Sequence, residues 1–345
     1  MKSVYFIIIF STIFFNGYSQ IENCENLVFE GAGMRGIAYS GVLRQFEKSG
    51  ISTNIKRVGG TSAGAITALM FSLGYNSNEI YDIISETKFQ KFNDGEFIFF
   101  GGFSRLNGKY GWYKGNNFTK WLEKIIKNKT GNSEITFKEL QEKGFKQLYV
   151  TGTSMNKQKL LIFSSETYPQ MKVKDAVRIS MSIPLYFEAV FIDSVGQVYK
   201  KHKGVENLDV VVDGGIMGNF PIFMFDSIGI DSFNHKIRIP NYRTIGVRID
   251  SDLQIRRDSL DKELVPIQIN NISDYFQAFY IIILENLNRN KLIPEDWERT
   301  ISVSSVGISP KIKKLTKAQK ETLILSGEQH TLEFINKNKT VLNAL

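Results

Sequence analysis

The chain has 345 residues, 42% of them hydrophobic and 23% charged, which is the composition of an ordinary globular protein able to bury a large core. Its single cysteine, Cys24, excludes an internal disulfide framework and any cysteine-based metal site. Lys and Arg number 43 against 35 Asp and Glu, a net charge of +8 that suits nucleic acid, an anionic lipid surface, a phosphate-bearing substrate or simply a solvated surface.

Residues 1–19 stand apart. Lys2 precedes an uncharged run from Val4 to Phe15, and Gly17 and Ser19 occupy the −3 and −1 places of a cleavage site. This predicts a secretory signal peptide cut after Ser19, and hence export to the periplasm, the cell surface or the medium. The run is short for a membrane span, so an uncleaved anchor is the weaker alternative. Asn23 is not the small residue that a lipoprotein site at Cys24 would want.

Leu27-Val28-Phe29 predicts a buried strand ending at Glu30, followed by Gly31-Ala32-Gly33-Met34-Arg35-Gly36 and a helix with Ile37, Val42, Leu43 and Phe46 on one face. A second strand over Ile55 to Val58 leads into Gly60-Thr61-Ser62-Ala63-Gly64 and an apolar helix closed by Gly74. Strands alternating with helices predict a parallel sheet with functional loops at its carboxyl ends. The aromatic stretch from Phe89 to Phe118 reads as core beneath a long connection, or else as a cap or acyl channel. Helices are expected over Asn116 to Lys129, from a Thr136 cap through Leu140, and over Val173 to Ser180. Further strands are expected at Leu148 to Thr153, Leu160 to Phe163, Val210 to Val212 and Thr244 to Ile249. Lys200-Lys201-His202-Lys203 reads as a solvated basic tip. The apolar helix holding Tyr275, Phe279 and Ile283 is too short to span a bilayer. Lys311, Lys313, Lys314, Lys317 and Lys320 precede a C-terminal helical stretch interrupted at Gly327. The expectation is one domain over 20–345, with a motif-bearing core at about 27–225 and a strand-and-helix extension at about 240–345.

Gly60-x-Ser62-x-Gly64, placed between a strand and a helix, has the context of a nucleophile elbow. Its glycines let strand and helix pass closely, and the turn presents the serine at a helix N-terminus. Gly31-x-Gly33-x-x-Gly36 also matches a dinucleotide fingerprint, which requires an acid near the end of the second strand. No Asp or Glu lies between Glu47 and Glu79, so that reading fails. The same glycines serve equally as an oxyanion loop. A serine needs a base. Among His202, His235 and His330, chain order would favour His235 or His330, but neither has a pre-organised setting. Asp213, directly after three valines and followed by Gly214 and Gly215, is the better candidate if burial raises its pKa.

Four blocks together resemble the patatin-like phospholipase family. Gly31 to Gly36 resembles its G-G-G-x-R/K-G loop with Ala32 at the middle glycine, and Gly60 to Gly64 meets its G-T-S-A-G elbow. Ile179-Ser180-Met181-Ser182-Ile183-Pro184-Leu185-Tyr186-Phe187 resembles A-S-x-x-x-P-x-x-F with Ile179 for alanine. Asp213-Gly214-Gly215, Asn219 and Pro221 complete D-G-G-x-x-x-N-x-P. The resemblance implies a three-layer α/β/α fold with a central, mostly parallel sheet. It also implies acyl-ester hydrolysis by a Ser62–Asp213 dyad, with the oxyanion site formed by Gly31, Ala32, Gly33, Met34, Arg35 and Gly36. Gly60, Gly64, Gly214 and Gly215 would support elbow and dyad. It implies no metal and no cofactor. The implied partners are a phospholipid or other acyl lipid and a membrane surface, not nucleic acid. Ile179 is expected to narrow the pocket. A non-catalytic lipid-binding protein, or a small-ester esterase with a histidine triad, are the alternatives.

Overall fold

The computed structural model describes residues 21–343, except 96–97, 201–203, 261–262, 290 and 310–314. The expected signal peptide, most of the basic tip with His202, and the lysines at 311, 313 and 314 lie outside the described residues.

Among the described residues, nine strands form the main sheet: β1 (Asn26–Phe29), β2 (Arg57–Gly60), β3 (Gln147–Ser154), β4 (Lys159–Phe163), β5 (Val190–Ile192), β6 (Val198–Tyr199), β7 (Asp209–Asp213), β8 (Thr244–Asp250) and β9 (Thr300–Ser304). Their order is β9-β8-β1-β2-β3-β7-β5-β6, with β4 paired to β3 off this path. The five strands from β9 to β3 are parallel, as the alternation of strands and helices predicts. Beyond β3 the pairing turns antiparallel. Asp213 therefore does not stand at the carboxyl end of a parallel strand; β7 brings it in from the opposite direction. Register explains why this still works. Gly60 pairs with Val150 and Asp213 with Gly152, so Ser62 and Asp213 each lie two residues past the Gly60–Val150 pair, at one level of the sheet.

Helices cover both faces. Successive β1 side chains alternate between them: Leu27 and Phe29 enter the main core, while Val28 packs with Tyr149 and Phe225 on the other side. The main-core side carries α1 (Ala38–Lys48), α2 (Ala63–Ser72), α3 (Val173–Ser180) and α5 (Lys317–Asn343). Every α2 residue from Gly64 to Ser72 is buried, which is why that helix reads as apolar all round. Helix α4 (Ile272–Arg289) lies over the short turn of helix at Gly215–Gly218 that follows β7. Among the described residues, no helix is long and apolar enough to cross a membrane.

Three expectations change. Helix α5 runs through Gly327 without a break. A Cβ on Gly327 would sit 2.3 Å from the Ala38 carbonyl oxygen, and one on Gly41 2.1 Å from that of Ile324, so these glycines let α1 and α5 cross in backbone contact. The second strand begins two residues later than its apolar residues suggest and absorbs Gly59 and the first motif glycine, Gly60. The Phe89–Phe118 stretch divides: Phe92 and Phe118 enter the core against Trp121, while Phe103 is 64% exposed on a helix over Ile98–Lys109.

Candidate active site

Ser62 occupies the tight corner between β2 and α2, with φ 53° and ψ −120°. A non-glycine residue at positive φ is strained, and here the surroundings hold it in place. Its N–H donates to Ser180 Oγ at 2.9 Å. The neighbouring Thr61 hydroxyl donates to the Gly218 carbonyl at 2.7 Å and lies 2.6 Å from Thr151 Oγ1, tying the elbow to β3 and to the turn after Asp213. Gly64 lies against the end of β1: a Cβ there would be 2.5 Å from the carbonyl oxygens of Phe29 and Glu30. Gly60 and Gly64 pack against one another in the same way.

The loop from Gly31 to Gly36 faces this corner. Gly33 has φ 56°, where glycine avoids the strain a side chain would bring, whereas Ala32 has φ −128° and carries its methyl without strain. Replacement of the middle glycine thus costs the loop nothing in backbone geometry. The N–H groups of Ala32, Gly33 and Met34 have no acceptor among the described residues, and they precede a 3-10 helix over Gly33–Ile37. Three consecutive free donors suit an anion. Arg35 turns inward, with Nε donating to the Ala32 carbonyl at 3.3 Å. Gly31 is held by Asn219 on both sides: its N–H donates to the Asn219 carbonyl at 3.0 Å, and Asn219 Nδ2 donates to its carbonyl at 3.2 Å. A Cβ on Gly31 would meet Asn219 Oδ1 at 2.3 Å and Ser62 Cβ at 3.4 Å. Asn219 therefore links the turn after Asp213 to the glycine loop, a contact that no local pattern reveals.

Asp213 is 1% exposed. Its Oδ1 accepts the Gly215 N–H at 2.7 Å, and its own N–H donates to the Ser182 carbonyl at 2.9 Å. Gly214 lies so close to β3 that a Cβ would reach Thr151 Oγ1 at 2.1 Å. Burial pushes the carboxyl up to about 7 from 3.8, against the smaller opposing effects of the Gly215 N–H and the Ser62 hydroxyl. Among the described residues no hydrogen bond of ordinary geometry reaches its buried Oδ2, although the Ser62 hydroxyl lies close enough to act on the carboxyl. The Ser62 hydroxyl instead rests on Met181 Sδ at 3.3 Å. Helix α4 covers Asp213 from outside: a Cβ on Gly215 would meet Leu284 at 2.9 Å, and Tyr280, one turn earlier on the helix, feels the Asp213 charge. Burial, helped by that charge, lifts the Tyr280 hydroxyl well above its ordinary range.

Ser180, Met181 and Ser182 thus touch both members of the pair. Arg178, buried beneath them, donates to the Ser182 hydroxyl and to the Lys114 carbonyl, and its guanidinium lies over the Phe187 ring. Ile179 does not narrow a pocket; it is fully buried beside Gly152, where it fills space against β3. A narrow apolar cleft of about 80 Å³ opens beside Ser62 between the glycine loop and the Met181–Phe187 segment. The histidines lie elsewhere. His235 sits beside Asp231, 76% exposed in its side chain, at the turn of a hairpin formed by Ser227–Ile230 and Lys236–Ile239. His330 faces Ser326 within α5. Among the described residues, no group of three His, Cys, Asp or Glu side chains could hold a metal ion.

A family model described as patatin-like phospholipase matches residues 27–226. Protein R571 of Acanthamoeba polyphaga mimivirus is 31% identical over 218 residues, covering 61% of this chain and 66% of its own. A protein of invertebrate iridescent virus 6 named "Probable lipid hydrolase 463L" is 31% identical over 207 residues, 57% of this chain and 62% of its own. The chain thus spans less than two thirds of the length of these relatives. The crystal structure of VipD from Legionella pneumophila superposes with a TM-score of 0.54 at 16% identity, covering 92% of this chain and 67% of VipD; at that identity the likeness is one of fold.

Proposed function

The chain belongs to the patatin-like phospholipase family, and on that premise we propose that it hydrolyses carboxylic esters of lipids through a Ser62 acyl-enzyme with Asp213 as the base. The observation that carries this reading is the buried Asp213 carboxyl at the level of Ser62, with a pKa of about 7 and the Ser62 hydroxyl acting on it. A base of that strength is half ionised near neutral pH and strong enough to take a hydroxyl proton as the nucleophile attacks.

The Ser62 hydroxyl first turns from Met181 Sδ toward Asp213 Oδ2. As its oxygen bonds to the ester carbonyl carbon, the proton passes to Asp213 and the carbonyl electron pair moves onto oxygen. The N–H groups of Ala32, Gly33 and Met34 face that oxyanion. Removing one such donor typically costs about 2.7–4 kcal/mol of transition-state stabilisation. Collapse expels the alcohol, which takes the proton from Asp213. Water then enters, gives its proton to Asp213, and releases the fatty acid as Ser62 is reprotonated. The four residues Ile272, Tyr275, Phe279 and Ile282 form an exposed apolar stripe on α4, on the Asp213 side of the site, which supports contact with a lipid surface.

A panel of phospholipids, lysophospholipids and neutral glycerides, with products identified by mass, tests the reading. Wild type should release fatty acid from at least one class, and Ser62→Ala and Asp213→Asn should release none while keeping the wild-type circular dichroism. Substantial turnover by either folded variant would remove the dyad.

A further inference from the structure

We propose that the hairpin over 227–239 joins two copies of this chain, its first strand pairing antiparallel with the same strand of the second copy about a two-fold axis at Gly229. This goes beyond the hydrolase reading and does not depend on it.

The hairpin stands apart from the main sheet and from the active site. It precedes Thr244, which pairs with the first residue of β1, so it lies at the amino ends of β1 and β8. Ser62 follows the carboxyl end of β2, at the other end of the sheet. Both ends of the hairpin are fixed. At its base the buried Asp226 carboxylate binds Arg299 at 2.7 and 2.8 Å, accepts the Asn241 N–H at 2.9 Å and, with Asp296, holds Arg238. At its turn Asp231 Oδ1 accepts the N–H groups of Phe233 and His235. Among the described residues, neither strand has a further strand beside it. Yet Ile228 is 69% exposed, Ile230 67% and Phe233 78%, and Ile237, Ile239 and Tyr242 are exposed as well. A lone hairpin with nothing packed on it is marginal in water. Together these side chains expose roughly 600 Å², the upper range for a patch on a monomer and most of the about 800 Å² that one partner gives to a standard interface.

The backbone chooses the occupant. The Asp231 N–H donates to the His235 carbonyl at 3.0 Å, and Gly229 pairs with Ile237. Alternation along the antiparallel ladder then turns the N–H and C=O groups of Ile228 and Ile230 outward, away from the second strand. Hydrocarbon would leave those groups unpaired, whereas another strand receives them. Edges are guarded by charge or proline, and the second strand has Lys236, Arg238 and the following Pro240. Ser227-Ile228-Gly229-Ile230 has neither guard. Turned about Gly229, two first strands set Ile228 opposite Ile230 of the second copy, an apolar pair repeated by the symmetry. Two second strands turned about Ile237 would instead set Lys236 opposite Arg238, like charge on like. First strand against second would not close on itself and would propagate.

Sedimentation equilibrium over a concentration series should give the purified protein twice its monomer mass. Ile230→Pro removes an outward N–H that the hairpin itself does not use, and should return the mass to that of the monomer. Lys236→Pro makes the same change on the second strand and should leave the dimer intact. Gly229→Cys displaces only the tip of Ile239 and brings two Cα atoms about 4.5 Å apart at the axis, within disulfide reach. It should oxidise to a linked dimer and Ile237→Cys should not; the natural Cys24 is buried. Circular dichroism and unfolding midpoints identify folded variants, and if Ile230→Pro misfolds the two cysteine variants decide. A wild type that is monomeric at every concentration overturns the proposal. So does a dimer that survives in folded Ile230→Pro or is lost in folded Lys236→Pro, or a link through Ile237→Cys rather than Gly229→Cys. Monomers that float with phosphatidylcholine–phosphatidylglycerol vesicles, and cease to on Phe233→Ser, would give the hairpin to a lipid surface and overturn it equally.

Discussion

Replacing Asp213 by Asn tests whether burial sets the state of this carboxyl. The folded value of about 7 exceeds the ordinary 3.8 by about 3 units, which corresponds to a pH-dependent difference on the order of 4 kcal/mol. Because the folded value is the raised one, the folded chain holds the proton more tightly than the unfolded chain. The resulting stability is fully present below about pH 4 and is lost as pH rises through about 7. Tyr280, which faces Asp213, has its own pKa raised by burial and by that charge, and stays neutral throughout this window. Between about pH 4 and about pH 8, wild type should therefore lose on the order of 4 kcal/mol of unfolding free energy relative to Asp213→Asn. Any fixed cost of burying the amide cancels in that comparison. Ester hydrolysis should climb with an apparent pKa near 7, since the carboxylate is the base. Urea unfolding of both proteins at stepped pH, beside the wild-type pH profile of kcat/KM, makes the measurement. Parallel stability curves, or an activity limb centred near pH 4, would refute the reasoning.

Three further outcomes are expected. Ser62→Gly relieves a positive φ and should raise stability by about 1 kcal/mol in thermal unfolding, while abolishing labelling by a fluorophosphonate; a fall in stability would mean the corner is not strained. Gly327→Val forces apart the crossing of α1 and α5 and should cost about 2–3 kcal/mol in urea unfolding, whereas a neutral result would place the helices further apart than the 2.3 Å approach to Ala38 implies. If the N-terminal segment is a signal peptide, the intact mass of the exported protein should begin at Gln20; a mass that includes residues 1–19 would make that segment an anchor.

What could be read from the sequence was what local geometry demands. The elbow at Ser62 needs two glycines at fixed spacing, and the acid at Asp213 betrays itself by following three valines. The direction of β7 was not legible, because three valines look alike in a parallel and an antiparallel strand. Strand β9 was missed because Thr300-Ile301-Ser302-Val303-Ser304 offers only two apolar residues; Ile301 and Val303 are buried among serines that the packed edge also covers. Gly327 looked like a helix breaker because its reason for being small, the Ala38 carbonyl, lies on another helix. Ile179 and Asn219 show the same limit: one motif position faces the core, the other joins two loops, and spacing alone assigns neither.

The placement of β8 has a consequence for how the chain is made. Asn26 pairs with Thr244 on one side and with Arg57 on the other, so the strand that leads to the glycine loop is flanked by a partner 31 residues away and another 218 residues away in sequence. The family match ends at residue 226, before that second partner. A nascent chain that has reached only that point carries every residue proposed for catalysis, yet β1 presents an open edge. Closing it waits on a long loop, and such distant pairings are slow to form and leave strands open to mispairing meanwhile. Hydrolytic competence should therefore appear late in folding, only after the last third of the chain has docked.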